Sequence, residues 1–258
     1  MSRSPLKDRP LRNPGQSGDD ELDNIIRDTL VPYALAGSMT FIMAFMEWTR
    51  WFTGARPNPW LYTLLFALVF AIGFVKIRGA FKRAKNIKLG RDGERAVGQY
   101  LELLRENGAK VFHDVRGPSF NIDHVVIHAS GVYVIETKTY SKPDSGQPVI
   151  QFDGEGVQIM GRTPDRNPVS QSQALARWLG ELLADSTGKA FHPRPVVVFP
   201  GWFIEPTAEA KKSDVWVLNP KALPAFIANS RAQLSAESVQ LAAFHLSRYV
   251  RALERQKK

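Results

Sequence analysis

Two long uncharged stretches dominate the first third of the chain. Residues 29–46 form a run of 18 without a charge, between Asp28 and Glu47, and residues 57–75 form 19 more, between Arg56 and Lys76. A helix needs about 20 mostly apolar residues to cross a bilayer, and flanking side chains that reach back to the interface make up small shortfalls. The pattern predicts transmembrane helices over 29–48 and 57–76. Two buried core helices are the alternative. Trp48, Trp51 and Trp60 lie between the runs, where an interfacial aromatic belt sits, and this favours the membrane. Beyond residue 88 the patterns shorten. Val97, Leu101 and Leu104 share one stripe of a helix over 91–106 that Asn107-Gly108 stops. Strands are predicted at 109–115, 121–129 and 132–140, then a hairpin at 148–152 and 157–161. Asn167-Pro168 starts a helix through Ala184, with Leu175, Trp178, Leu179 and Leu182 as its apolar face. Buried strands at 193–200 and 214–218 and helices at 221–229 and 236–254 complete the series. The order predicts an α/β fold, a mixed central sheet flanked by helices.

Charge refines the picture. The net charge is +9, but Lys and Arg outnumber Asp and Glu by 13 to 7 in residues 1–88 and by only 21 to 18 in residues 89–258, so +6 of the +9 lies in the first third. The pI is therefore no sign of nucleic-acid binding by the later part. Lys76, Arg78, Lys82, Arg83, Lys85, Lys88 and Arg91 follow the second run, whereas the loop between the runs holds only Arg50 and Arg56. The positive-inside rule places both termini in the cytoplasm, as expected of a multi-pass inner-membrane protein, and the bases at 76–91 suit anionic lipid headgroups. Residues 1–28 are expected as a disordered cytoplasmic tail and 77–88 as a basic linker. With no cysteine, disulfides and thiolate metal sites are excluded.

Several polar residues interrupt apolar faces. In VYVIETKTY (132–140), Val134, Glu136 and Lys138 share one strand face, and on the preceding strand Asp123 shares a face with Val125 and Ile127. If the strands pair as neighbours, Asp123 and Glu136 meet, and two carboxylates beside a lysine suit a hard divalent cation such as Mg²⁺. Helical phase turns Glu94 toward the stripe of Val97 and Leu101, and Gln171 toward that of Leu175 and Trp178. Each residue alone has a plainer role. Glu94 suits the positive end of a helix dipole, Glu136 and Lys138 a surface ion pair, Asp123 a turn cap and Gln171 a first-turn bond. His124 and His128 fall on the opposite strand face from Asp123 and read as core or surface histidines.

These blocks resemble a known family. Gly90-x-x-Gly93-Glu94-x-x-Val97, Asn121-Ile122-Asp123-His124, Gly131-Val132-Tyr133-Val134-Ile135-Glu136-Thr137-Lys138 and Asn167-Pro168-x-x-Gln171 resemble, in order and spacing, the NERD (nuclease-related) domain. That family is similar to the PD-(D/E)XK nucleases, so the resemblance implies a restriction-endonuclease-like αβββαβ core. The implied domain is 89–258, with the motifs in 89–205 and a C-terminal extension at 206–258. The resemblance further implies that Asp123, Glu136 and the Thr137 carbonyl bind Mg²⁺ or Mn²⁺. Lys138 would orient the attacking water and stabilise phosphate charge, Glu94 would complete the acidic cluster, and Gln171 would orient a ligand. Ile122 stands where the superfamily name has proline. The expected function is a membrane-anchored hydrolase, a nuclease acting on DNA or RNA. The alternative is a non-catalytic module on the same fold that binds nucleic acid or protein at the membrane.

Overall fold

The computed structural model describes residues 11–54, 58–143 and 145–256. They form two compact units, one made of residues 17–89 and the other of residues up to 16 together with those from 90 onward.

The first unit is helical. Helix α1 (Gln16–Ile25) leads through a π-helical turn (Ile26–Leu30) into α2 (Val31–Phe52), and α3 (Pro59–Glu106) begins after the loop. The two apolar runs thus form a hairpin of helices, each long and apolar enough to cross a membrane. Only 6% of the most apolar window of either helix is buried, so neither window is packed into a domain core. At the loop end Trp48 meets Trp60 edge-on with ring centroids 5.5 Å apart, and its Nε1 donates to Thr63 Oγ1 at 3.0 Å. Two expectations change here. Residues 77–88 are part of α3, because the lysines, arginines and alanines of a basic segment are themselves good helix formers. The tail expected to be disordered is ordered over its described part, with a helix from Gln16 and a buried Arg12; residues 1–10 lie outside the described residues.

The second unit has a five-stranded sheet in the order β1-β2-β3-β6-β8. The strands are β1 (Lys110–Arg116), β2 (Asn121–His128), β3 (Gly131–Thr137), β6 (Arg194–Val198) and β8 (Trp216–Leu218). β1, β2 and β3 form an antiparallel meander, and β6 and β8 add in parallel beyond β3. Helices α4 (Pro168–Thr187) and α6 (Ala236–Gln256) cover one face, burying Leu175, Leu179 and Leu246 against Val125, Ile127 and Val134. The end of α3 and the short α5 (Leu223–Ala228) cover the other, with Val97, Leu101 and Leu223 against Val126, Tyr133 and Ile135. Each such side chain, fully buried, contributes about 1.5–3 kcal/mol. The fold is mixed α/β with helices on both sheet faces, as the sequence predicts.

A second small sheet, β5-β4-β7, is built from β4 (Val149–Phe152), β5 (Val157–Ile159) and β7 (Phe203–Pro206). The β4–β5 hairpin matches expectation, but β7 is not predicted by the pattern. Its FIEP has no buried residue, so it lacks the apolar alternation that marks a strand.

Candidate functional site

The antiparallel register of β2 on β3 pairs His124 with Ile135 and Val125 with Val134. One step further along, Asp123 and Glu136 face each other where the meander frays. The fraying has a local cause: the Thr137 amide turns to Asp123 Oδ2 at 2.6 Å, while the Lys138 amide bonds Val198 O on β6 at 2.9 Å. Asp123 is thereby clamped by backbone. On β3, alternation sends Glu136 to the α4 side. There α4 begins with Asn167 capping the Val169 amide at 3.0 Å and Pro168 opening the first turn, which sets Gln171 one turn in and facing the sheet.

Three side chains close into a ring of contacts. Lys138 Nζ donates to Glu136 Oε1 at 2.7 Å and to Gln171 Oε1 at 2.9 Å, and Gln171 Nε2 donates to the same Glu136 Oε1 at 2.7 Å. All donors therefore converge on one carboxylate oxygen. Glu136 Oε2, in a residue only 4% exposed, has no hydrogen-bond partner among the described residues. The Thr137 and Thr139 hydroxyls are also buried and unpartnered. Buried polar oxygens are costly to leave unpaired, and a water or a ligand could pair with this acceptor.

The carboxylates strain against each other. Burial pushes the Asp123 carboxyl well above its usual range, and the charges of Glu136 and Glu94 add to this. Burial also raises Glu136, against the pull of Lys138 and Gln171. Glu94 is pushed up to about 7, mainly by burial and then by Asp114 and Glu136. Lys138 is the cation that acts on all three, and it does not offset three acids. Oxygen donors short of positive charge fit a hard divalent cation. Among the described residues, however, no three His, Asp or Glu side chains gather closely enough to cage a metal by themselves.

Glu94 reaches the cluster from α3, and Gly93 lets it. A Cβ on Gly93 would lie 2.0 Å from Thr139 Oγ1 and 3.1 Å from Thr139 Cβ, so this helix turn touches the end of β3 with no room for a methyl group. Gly93→Ala is expected to cost about 1–3 kcal/mol, as overpacking does, and Thr139→Ala in the same chain to restore part of it. Thermal melts of the single and double variants check this; an unchanged melting temperature in Gly93→Ala would contradict the close approach.

All five residues singled out in the sequence, Glu94, Asp123, Glu136, Lys138 and Gln171, act on one another at this end of the sheet. His124 lies apart, fully buried on the other face, its Nδ1 2.8 Å from His113 Nδ1. His128 is also outside, bonded to Ser130 Oγ at 2.8 Å. Sequence reasoning missed Asp114, which is 2% exposed beside Glu94, and its partner Arg12. Asp114 follows His113 in an apolar strand, and an isolated acid there was the available signal.

Residues 89–200 match the family described as nuclease-related domain, NERD. An uncharacterized protein of Bacillus anthracis is 26% identical over 140 residues, spanning 51% of this chain and 66% of that protein's length. The solved structure of Pyrococcus furiosus SfsA in complex with Ca²⁺ is 21% identical, with a TM-score of 0.25, over 48% of this chain and 52% of that one. The family match covers the end of α3, the meander, α4 and β6, and so spans all five residues. Residues 89–200 of this chain thus carry a nuclease-related domain, related to the PD-(D/E)XK-like group, behind two candidate membrane spans.

Proposed function

We propose that the protein is a membrane-anchored nuclease that hydrolyses phosphodiester bonds of DNA or RNA at the cytoplasmic face. The observation that carries this is the ring of Glu136, Lys138 and Gln171, which saturates one carboxylate oxygen and leaves Glu136 Oε2 buried without a partner beside Asp123. A scaffold has no use for that arrangement. Asp123, Glu136 and the Thr137 carbonyl are the ligands proposed for Mg²⁺ or Mn²⁺, which takes one or two carboxylates and fills its remaining positions with water and phosphate oxygens. When bound, the cation supplies charge stabilisation to the phosphate.

The chain's own groups do the rest. Gln171 fixes the Lys138 ammonium through its carbonyl, so that the ammonium is held and not swept away on a flexible stem. Lys138, with a quarter of its side chain exposed, presents its remaining donor capacity to solvent, where it orients water and meets developing negative charge. Glu94 adds an acid with its pKa near neutrality, suited to holding or passing a proton.

The hairpin supplies the anchor. The basic residues from Lys76 to Arg91 follow the second span and support a cytoplasmic side for the domain, where they suit anionic lipid headgroups.

The raised carboxyls test the cation directly. Glu94 is at about 7 in the folded chain against a usual 4.5, so the folded state holds this proton more tightly than the unfolded state. Stability contributed by the protonated form is lost as pH rises through that interval, by at most about 3 kcal/mol before solvent screening. A divalent cation replaces the lost proton. Mn²⁺ or Mg²⁺ is therefore expected to raise the melting temperature of the full chain in detergent more at about pH 8 than at about pH 5. A cation effect equal at both values, or none, would tell against the site.

A further inference from the structure

Residues 11–16 precede both apolar helices in the chain, yet they pack with the domain that follows them. Arg12 is 5% exposed. Its Nε donates to Asp114 Oδ2 at 2.6 Å and its Nη1 to Glu254 Oε1 at 2.8 Å, so one guanidinium ties β1 to the end of α6. A charge this deeply buried is destabilising unless paired, and removing one partner strands the other. Leu11 packs on the core under α4 and α6. Pro14 lies so near α3 that a Cβ on Gly98 would stand 2.9 Å from its Cγ.

The segment also reaches the acidic cluster. Gly15 adopts a left-handed φ of +73, and a Cβ there would meet Arg91 Cγ at 2.7 Å, so the turn is built for glycine. Its N–H donates to the Glu94 carboxylate. Asp114 stands beside Glu94 with a left-handed φ of 51, a conformation uncommon outside glycine that persists only where the surroundings hold it. Arg12 bonds the Asp114 carboxylate in that conformation.

We infer that residues 11–15 are a strap built into the acidic site: Arg12 positions and neutralises Asp114, the Gly15 amide positions Glu94, and the chain before the hairpin completes the site formed by the chain after it. Arg12 is a positioning residue in this arrangement and touches no substrate. A consequence is that a fragment beginning at residue 89 lacks part of the site. The strap rests on the proposed cation site only for its metal readout.

The test uses the full chain in lipid nanodiscs, as wild type, Arg12→Gln, Arg12→Lys, Glu254→Gln and Arg27→Gln, the last removing an exposed arginine outside the strap. Amide hydrogen exchange is followed over residues 92–98, 112–116 and 236–255, and Mn²⁺ binding by calorimetry. Arg12→Gln is expected to speed exchange over the first two segments about tenfold or more and to weaken Mn²⁺ binding about tenfold, the scale of a lost hydrogen bond to a charged group. Arg12→Lys should fall between it and wild type. Glu254→Gln, which removes the other partner, should loosen 236–255 while keeping Mn²⁺ affinity, which a merely structural clamp would not do. Unchanged exchange over 92–98 and 112–116 in Arg12→Gln would overturn the strap, as would equal Mn²⁺ losses in Arg12→Gln and Glu254→Gln. If Arg12→Gln does not fold, Arg12→Lys decides: exchange over 92–98 faster than in Arg27→Gln supports the strap, and equal exchange defeats it. If the wild type itself binds no Mn²⁺, the cation site fails, and the exchange comparison still decides the strap.

Discussion

Asp123→Asn is expected to make the metal-free protein more stable at about pH 8 while abolishing cleavage. Asparagine still offers an oxygen to the Thr137 amide that now bonds Asp123 Oδ2 at 2.6 Å, so the clamp at the strand end survives. What disappears is a carboxylate that burial, Glu136 and Glu94 all oppose. Because the folded-state pKa of Asp123 lies well above its usual value, the wild-type domain loses stability as pH rises through that range, whereas the variant does not. The two should melt together in acid, where Asp123 is protonated, and separate as pH rises, by about 1–2 kcal/mol, or roughly 3–6 °C for a domain of this size. Added Mn²⁺ should stabilise the wild type and not the variant. Melting curves with and without the cation at several pH values check both halves. An Asp123→Asn chain that is less stable at every pH would show the residue to be a structural cap.

The second large effect concerns Lys138. Its ammonium bonds both Glu136 Oε1 and Gln171 Oε1, so Lys138→Ala removes the cation, leaves Gln171 Oε1 without that donor and leaves Glu136 Oε1 with the Gln171 amide alone. Cleavage should fall at least about 100-fold, the usual loss when a positioned donor to developing charge is deleted. Lys138→Arg should not restore it. A planar guanidinium fork does not place one nitrogen between two oxygens as a tetrahedral ammonium does. Stability should respond with a definite sign: Lys138 lowers Glu136 more than Gln171 does, so its loss raises that carboxyl further and costs stability above the usual glutamate range, not below it. Turnover and pH-dependent melts of the two variants measure this. Full activity in Lys138→Ala would remove the residue from the chemistry.

The contrast between what the sequence disclosed and what it hid has physical causes. Asp123, Glu136 and Lys138 could be grouped because strand alternation is strict: a period of two assigns each residue to a sheet face from its position in the strand alone. Gln171 was legible for the same reason on a helix, where Asn167-Pro168 marks the first turn and the phase of Leu175 fixes the inward side. The helical hairpin was legible because each uncharged run has the length that a bilayer requires of a spanning helix. The pairing of Arg12 with Asp114 was not legible, since 102 residues separate the partners and no local period relates them. The ordered start of the chain escaped for that reason too: a segment rich in Ser, Pro, Gly and charge reads as disordered until its remote partners are known. Continuity of α3 through 77–88 was hidden by charge, which suggests a linker although lysine, arginine and alanine favour helix.

One measurement bears most directly on the account. The full chain in nanodiscs, with residues 11–16 retained, is incubated with end-labelled single- and double-stranded DNA and RNA in Mg²⁺, Mn²⁺ or EDTA, beside Lys138→Ala. The account predicts cleavage of at least one substrate that requires the cation and is lost in the variant. Folded protein that cleaves none of them, or cleavage indifferent to EDTA and to Lys138→Ala, would contradict it and leave a binding module on a nuclease-related fold.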